Sequence, residues 1–150
     1  MSIFSNINQT EAYSEEQRQY FLPGHYRVQI NHVYTKPKRL GGHLFIAETT
    51  VLGSDCADIK IGEKRNWVQS MELPGAMPRV KVFVGAAKGY SSKFDADRIN
   101  AEVTEALCEE VVSKNNPLNG TELNLECYQK RSEKTGRDFT IHMWNPVNEH

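Results

Sequence analysis

Residues 25–33 read HYRVQINHV, and this stretch decides the type of fold. From Tyr26 to Ile30 every second residue is apolar, and polar residues lie between them. This period of two predicts a strand with one buried face and one exposed face. The apolar phase then moves to Val33, which a β-bulge at residues 31–32 explains, because a bulge inserts one unpaired residue. The first regular element is therefore predicted to be a bent, half-buried strand.

Four further strands are predicted from similar patterns. Residues 43–52 are rich in β-branched side chains and form a hairpin with the first strand around Pro37 and Gly41-Gly42. Residues 64–71 are predicted to be the third strand. The fourth and fifth strands are each expected to bury one alternating set: Leu123, Leu125 and Cys127 in the fourth, and Phe139, Ile141 and Met143 in the fifth.

Two helices are predicted between the third and fourth strands. Pro78 suits the first turn of a helix over residues 79–88, which Gly89 closes. Asp95 is the predicted N-cap of a second helix, which ends at residues 115–117. The apolar stripe of this second helix consists of Ile99, Val103, Ala106, Leu107 and Val111.

The order of three strands, helices and two strands matches the five-stranded Greek-key barrel called the OB-fold, an α+β and mainly β architecture. We predict an OB-fold-like domain over residues 23–150, with the helices inserted between strands three and four. It follows a flexible N-terminal arm over residues 1–22 with a short helix around residues 11–19. In OB-folds, strands two and three and the loops joining strands one to two and four to five bind oligonucleotides.

Composition argues against several classes of function. No window holds the roughly eighteen apolar residues of a membrane helix, so a cytoplasmic protein without membrane contact is expected. Cys56, Cys108 and Cys127 are far apart and form no Cys-x-x-Cys pattern, which argues against a disulfide framework or a zinc site. Nucleotide-binding glycine patterns and nucleophile elbows are absent from the sequence, and no two histidines lie two or four residues apart with a carboxylate partner. We therefore expect a protein that is not an enzyme, with no catalytic residues, metal or cofactor.

The formal net charge of −1 hides strongly basic and acidic segments. Residues 60–93 contain seven basic against two acidic residues, a net charge of +5. Residues 25–48 carry +3 and residues 128–139 carry +2, whereas residues 94–127 carry −6. Because charges act within a Debye length of about 8–10 Å, a basic surface is compatible with the near-neutral total. The acidic helix face is most simply solvated; the alternatives are docking of a basic partner or keeping nucleic acid away from that side of the protein.

Two basic hairpin tips share one spacing. Residues 34–45 read YTKPKRLGGHLF and residues 128–139 read YQKRSEKTGRDF, and both fit Tyr-x-Lys, five residues, Gly, two residues, Phe. Basic tips also serve solubility and blunt sheet edges, but a pair flanked by aromatic residues favours flexible loops that close on a polyanionic strand. The predicted nucleic-acid contacts are Arg27, Tyr34, Lys36, Lys38, Arg39, Lys64, Arg65, Trp67, Tyr128, Lys130, Arg131, Lys134 and Arg137.

Trp67 and Val68 point to opposite faces of the third strand, so only one of them faces the core. Val68 is the easier side chain to bury, which predicts an outward Trp67 available for base stacking. A core Trp67 is the alternative. Tyr34, Tyr128 and Trp144 lie opposite the apolar positions of their strands and are further stacking candidates.

Three stretches resemble the single-stranded-DNA-binding proteins encoded by bacteriophages, a divergent OB-fold group. They are LPGHYRVQI at residues 22–30, GGHLFIAETTVLGSD at residues 41–55 and KTGRDFTIHMW at residues 134–144. The resemblance implies largely sequence-independent binding of single strands during phage DNA replication, recombination or repair, in the host cytoplasm and without catalysis.

The resulting hypothesis is a non-catalytic viral protein that binds single-stranded DNA. Replication or recombination proteins are further candidate partners, and a homodimer is left open. The alternative is an OB-like interaction module that uses the same basic loops to bind a host or replication protein. The sequence leaves open the choice between DNA and RNA, the site size and the cooperativity.

Overall fold

Five strands form one sheet in the computed structural model, which describes residues 20–147. The strands are β1 (Gly24–Pro37), β2 (His43–Ser54), β3 (Lys64–Ser70), β4 (Glu122–Arg131) and β5 (Asp138–Pro146). Their order in the sheet is β3-β2-β1-β4-β5, and every neighbouring pair is antiparallel. The expected α+β, mainly β class is confirmed, and all five strands lie close to their predicted positions.

The central strand, β1, is bent by two shifts of register. One shift lies between Ile30 and His32, where the bulge was predicted, and the second lies between Arg27 and Val28. Residues 24–29 pair with β4, and most of β1 pairs with β2 on its other side. Because each bulge increases the local twist, the sheet coils around the face that carries the core.

Three helices follow β3: α1 (Ala76–Ala87), α2 (Ala96–Glu102) and α3 (Glu105–Val111). The first predicted helix is confirmed as α1. The single second helix expected after Asp95 is wrong, because the backbone is extended at Val103. Thr104 then begins α3 as its N-cap, and its hydroxyl oxygen accepts a hydrogen bond from Leu107 N at 3.3 Å. A threonine that bonds to the backbone in this way favours a helix start over a helix interior.

The core lies between the inner face of the sheet and α1. The ring centroid of Phe83 in α1 lies 5.8 Å from that of Phe45, 5.2 Å from that of Trp67 and 4.9 Å from that of Trp144. Trp67 of β3 and Trp144 of β5 are themselves 5.5 Å apart. Because β3 and β5 are the two edges of the sheet, this contact shows that the sheet is strongly curved, with Trp67 and Trp144 of its edge strands packed together against α1.

The inward side chains of β5 differ from the predicted set. Trp144, expected as an exposed stacking candidate, is 1% exposed, whereas Phe139 and Met143, expected to be buried, are 40% and 38% exposed. The register explains the difference, because Trp144 pairs with the buried Leu125 of β4 and shares its inner face. His142 has the same inward phase, and burial lowers the pKa of its imidazole to about 4. The predicted phase of β5 is therefore wrong.

Residues 20–22 lie in the gap between the two edge strands. Tyr20 forms a parallel bridge with Asn66 of β3. Phe21 is buried, and its ring meets that of Trp144 of β5 edge-on at 6.4 Å. This short segment therefore touches both edges of the sheet.

The N-terminal boundary of the core lies earlier than the expected start of the domain. Phe21 belongs to the core, so core contacts begin before residue 23. Residues 1–19, with the short helix expected at residues 11–19, lie outside the described residues. Among residues 20–147, no helix is long and apolar enough to cross a membrane.

Candidate nucleic-acid interface

The outer face of the sheet, opposite the core, carries the candidate site. The bulge after Ile30 sets His32, Tyr34 and Lys36 on this face, because residues two apart in a strand share a face. Pairing with β2 and β3 extends each of them into a row across three strands. The rows are His32–Glu48–Asn66, Tyr34–Ile46–Val68 and Lys36–Leu44–Ser70. We call this surface the β1–β3 face.

Two rings stack on the β1–β3 face. The centroids of His32 and Tyr34 are 5.0 Å apart, and their planes differ by 27°. The Tyr34 hydroxyl donates a hydrogen bond to Glu48 Oε2 at 3.1 Å, and burial together with this bond raises the pKa of Tyr34. Ile46 is only 6% exposed although it lies on the outer face, so its neighbours cover it. The two rings therefore form an aromatic surface that the Tyr34–Glu48 hydrogen bond holds in place, with the apolar side chain of Ile46 beside it.

Exposed cations border the β1–β3 face. Lys36 lies in the row nearest the β1–β2 loop, and Lys64 pairs with Thr50 at the opposite end of β3. Arg39 occupies the tip of the β1–β2 loop, residues 38–42. None of these three side chains forms an ion pair with another residue between 20 and 147. They remain available to phosphate groups.

Lys38, in contrast, is engaged within the protein. Its ammonium donates a hydrogen bond to Ser70 Oγ at 2.7 Å and lies 3.0 Å from Glu72 Oε2. Glu72 also accepts a hydrogen bond from His43 N at 2.6 Å. The Lys38 ammonium and then the His43 amide lower the pKa of Glu72 to about 2. This pair anchors the base of the β1–β2 loop, and contact of Lys38 with a phosphate stays a prediction.

Trp67 and Arg65 face the core and not the β1–β3 face. Trp67 is 3% exposed and packs on Phe83, so the expectation of an outward Trp67 is wrong. Arg65, two residues earlier, has the same inward phase and is buried. Its guanidinium donates a hydrogen bond to Tyr20 O at 2.9 Å and lies 3.4 Å from Glu63 Oε1. Neither side chain is accessible to a strand bound on the outer face.

Two other predicted contacts are paired with carboxylates at the surface. Arg27 Nε and Nη2 lie 2.8 Å and 2.7 Å from Glu122 Oε1, across the β1–β4 ladder. Arg131 Nε lies 3.3 Å from Asp138 Oδ1 at the end of the β4–β5 hairpin. Exposed ion pairs of this kind contribute about 0–1 kcal/mol, so a phosphate can exchange for the carboxylate at small cost.

The outer face of the β4–β5 hairpin forms a second exposed surface. Lys130 and Phe139 lie opposite each other, and Tyr128 is on the same face two residue pairs further from the loop. All three side chains are exposed. The exposed cations of the loop that follows are Lys134 and Arg137. This surface joins aromatic rings and positive charge as the sequence predicted.

The two copies of the Tyr-x-Lys pattern nevertheless give different hairpins. Tyr34 and Phe45 lie on opposite faces, whereas Tyr128 and Phe139 share the outer face. The difference arises because five residues separate the last paired positions of the first hairpin and six separate those of the second. The loops also leave from opposite ends of the sheet, since β4 runs antiparallel to β1. A ligand that touches both loops must extend along the sheet between them.

His32, Ile46 and Val68 were missed by sequence reasoning. The predicted bulge could have identified His32, because one inserted residue places the side chain of His32 on the same face of β1 as that of Tyr34. Ile46 and Val68 follow only from the register between strands, which the pattern of a single strand does not reveal.

No protein-family model matches the chain, and no curated protein matches its sequence. Within residues 20–147, no group of three or more His, Cys, Asp or Glu side chains is placed to hold a metal ion.

Proposed function

We propose that this protein binds single-stranded DNA with little sequence preference and catalyses no reaction. The observation that carries this proposal is the stacked His32–Tyr34 pair on an outward sheet face with Lys36 and Lys64 at its borders. Aromatic rings accept any base, because every base has a π-face, and ammonium groups contact the phosphates. The combination suits a single strand, whose bases are free to unstack.

The charges on the β1–β3 face favour one arrangement of the strand. Glu48 lies in the first row and is held there by the Tyr34 hydroxyl. Its carboxylate repels phosphates, so the bases lie over the rings and the sugar-phosphate backbone follows the border with Lys36 and Arg39. Each stacked base contributes about 1–3 kcal/mol.

The finer fold assignment belongs to the same proposal. The sheet order β3-β2-β1-β4-β5 and the helices between β3 and β4 support an OB-fold. The contact between Trp67 and Trp144 supports closure of the sheet into a barrel. The resemblance to phage single-stranded-DNA-binding proteins then suggests a role in DNA replication, recombination or repair in the cytoplasm.

Titration of a fluorescent oligo-dT at several salt concentrations tests the proposal. With about five phosphates neutralised, a slope of about −0.7 per phosphate lowers the affinity on the order of 10²-fold between 50 and 200 mM salt. A duplex of the same length is expected to compete poorly. Failure to bind oligo-dT at the lowest salt rejects the proposal. If a nuclease-treated lysate then yields a stable protein partner, the interaction-module alternative is favoured.

Matched charge variants locate the site. Lys36→Gln with Lys64→Gln is expected to reduce the salt slope by about 1.4, since each lysine accounts for about 0.7. The control is Lys88→Gln with Lys114→Gln, which removes the same charge at exposed positions after α1 and α3. An equal reduction in both double variants would assign the effect to net charge and not to the β1–β3 face.

A further inference from the structure

A groove lies between α1, α3 and the inner side of the β1–β2 hairpin. Its volume is about 640 Å³. Its floor is formed by the buried side chains of Phe45, Val80 and Val103. Its walls are formed by the partly exposed side chains of Met71, Met77, Cys108 and Val112. This volume falls in the range of about 300–1,000 Å³ found for sites that enclose a ligand.

The walls of the groove expose apolar surface to solvent. Among the side chains of these walls, Met77 is 69% exposed. Methionine side chains are flexible and polarizable, so they adapt to differently shaped apolar partners. An apolar groove with a few polar groups at its rim is typical of sites that bind another molecule.

The rim of the groove is acidic. α3 carries Glu105, Glu109 and Glu110 and no basic residue, and the first two line the groove. Neither Glu105 nor Glu109 forms an ion pair with a residue in the described part of the chain. Lys81, the basic residue of the described lining, donates a hydrogen bond to Asn100 O of α2 at 3.3 Å. With two carboxylates against one ammonium, the groove lining carries a net negative charge, which favours a cationic partner over nucleic acid.

We propose that this groove binds a short amphipathic segment of a partner protein. The apolar side chains of that segment enter between α1 and α3, and its Lys or Arg side chains meet Glu105 and Glu109. Recognition of an amphipathic helix by a groove is a recurring binding mode. The groove lies on the opposite side of the sheet from the β1–β3 face, so this binding does not depend on DNA binding.

Methyl signals of methionine provide the test on the intact chain. The probe is a model peptide with Leu and Lys arranged for an amphipathic helix. Met71 and Met77 line the groove, whereas Met143 lies on the outer face of β5 and serves as an internal reference. Added peptide is expected to shift the signals of Met71 and Met77 and to leave that of Met143 in place. If the groove signals do not move, or if only Met143 moves, the proposal is overturned.

Two variants separate the acidic rim from general charge attraction. Glu105→Lys with Glu109→Lys is expected to weaken peptide binding about tenfold or more, because two favourable charge contacts become repulsive. The control, Asp58→Lys with Asp97→Lys, makes the same change of charge at exposed positions outside the groove and is expected to retain binding. Equal weakening in both overturns the assignment of the rim.

Two further measurements test the apolar contact and the identity of the occupant. Met77→Gln is expected to weaken peptide binding, whereas Leu73→Gln, at an exposed position outside the lining, leaves it unchanged. Equal effects of the two changes count against the groove. Sedimentation of the wild-type chain tests whether a second copy of this protein occupies the groove. Self-association that is abolished in the Glu105→Lys, Glu109→Lys variant would show a second copy there and reject a partner segment.

Discussion

Lys38 and Glu72 join two loops across one end of the sheet, with Lys38 Nζ 3.0 Å from Glu72 Oε2. The same carboxylate accepts a hydrogen bond from the backbone N of His43, the first residue of β2. The tip of the β1–β2 loop, with Arg39 and the exposed Leu40, is therefore presented from an anchored base. A loop held in this way loses less conformational entropy when it binds a ligand.

Acid is expected to release this anchor. Folding lowers the pKa of Glu72 from 4.5 to about 2. The ion pair with Lys38 therefore stabilises the folded state fully above pH 4.5, and this stabilisation is lost as the pH falls towards 2. Thermal unfolding of the wild type and of Glu72→Gln should therefore differ at neutral pH, and the difference should close below pH 4.5. Glu133→Gln removes a glutamate of the β4–β5 loop as the control. A difference that stays constant over this acid range would contradict the anchor.

Gly42→Ala is expected to destabilise the protein more than Gly41→Ala. Both glycines have positive φ, 88° and 102°, so either substitution costs about 1 kcal/mol of backbone strain. A Cβ at Gly42 would in addition overlap the Glu72 carboxylate, whereas a Cβ at Gly41 meets open space. To admit the added methyl group, the Glu72 side chain must move away and give up its contacts with Lys38 and the His43 amide, so Gly42→Ala also loses this anchor. Urea unfolding measures both variants, and in a Glu72→Ala background the two should become equal.

Tyr34→Ala is expected to weaken binding of oligo-dT by about 5- to 150-fold, which corresponds to the loss of one stack of about 1–3 kcal/mol. Tyr34→Phe keeps the ring and removes only the hydrogen bond to Glu48, so it should bind nearly as the wild type. Fluorescence anisotropy measures the affinities, and thermal unfolding checks that both variants remain folded. Equal affinities of the Ala and Phe variants would exclude Tyr34 as a stacking platform.

Tryptophan fluorescence is expected to report the core and not the bound strand. The two tryptophans of the chain, Trp67 and Trp144, are 3% and 1% exposed. Their emission should be shifted to short wavelength and should change little when oligo-dT saturates the protein. Val68→Trp places an indole on the β1–β3 face as the positive control, and its emission should be quenched by the oligonucleotide. Strong quenching in the wild type would contradict the inward Trp67.

The strands were predictable because alternation is a local property, but the phase of β3 and β5 was not. In β3, Trp67 and Val68 are both apolar, and the choice between them depends on the partner strand. Trp67 lies opposite Ala47, a small buried residue that leaves room for an indole. In β5, Trp144 is turned inward by its pairing with Leu125. Such information is carried by residues far away in sequence.

The residue types of the candidate site could be predicted from the sequence, but the positions of their side chains could be predicted only in part. Charge along the chain identified the basic hairpins, and Lys36 and Arg39 are exposed as expected. Lys38 lies between them in sequence but is bound to Glu72, a residue 34 positions later that no local pattern connects with it. The bulge before His32 was visible in the sequence, but its effect on the binding face requires the register of all three strands.

The bridge between Tyr20 and Asn66 covers part of the free edge of β3. An uncovered edge presents unpaired backbone groups that can pair with a strand of another molecule and begin aggregation. Phe21, seated against Trp144, keeps the segment in place beside the other edge. We therefore expect residues 20–22 to hinder pairing between copies at the edge of β3, and their removal would both expose unpaired backbone there and take Phe21 out of the core.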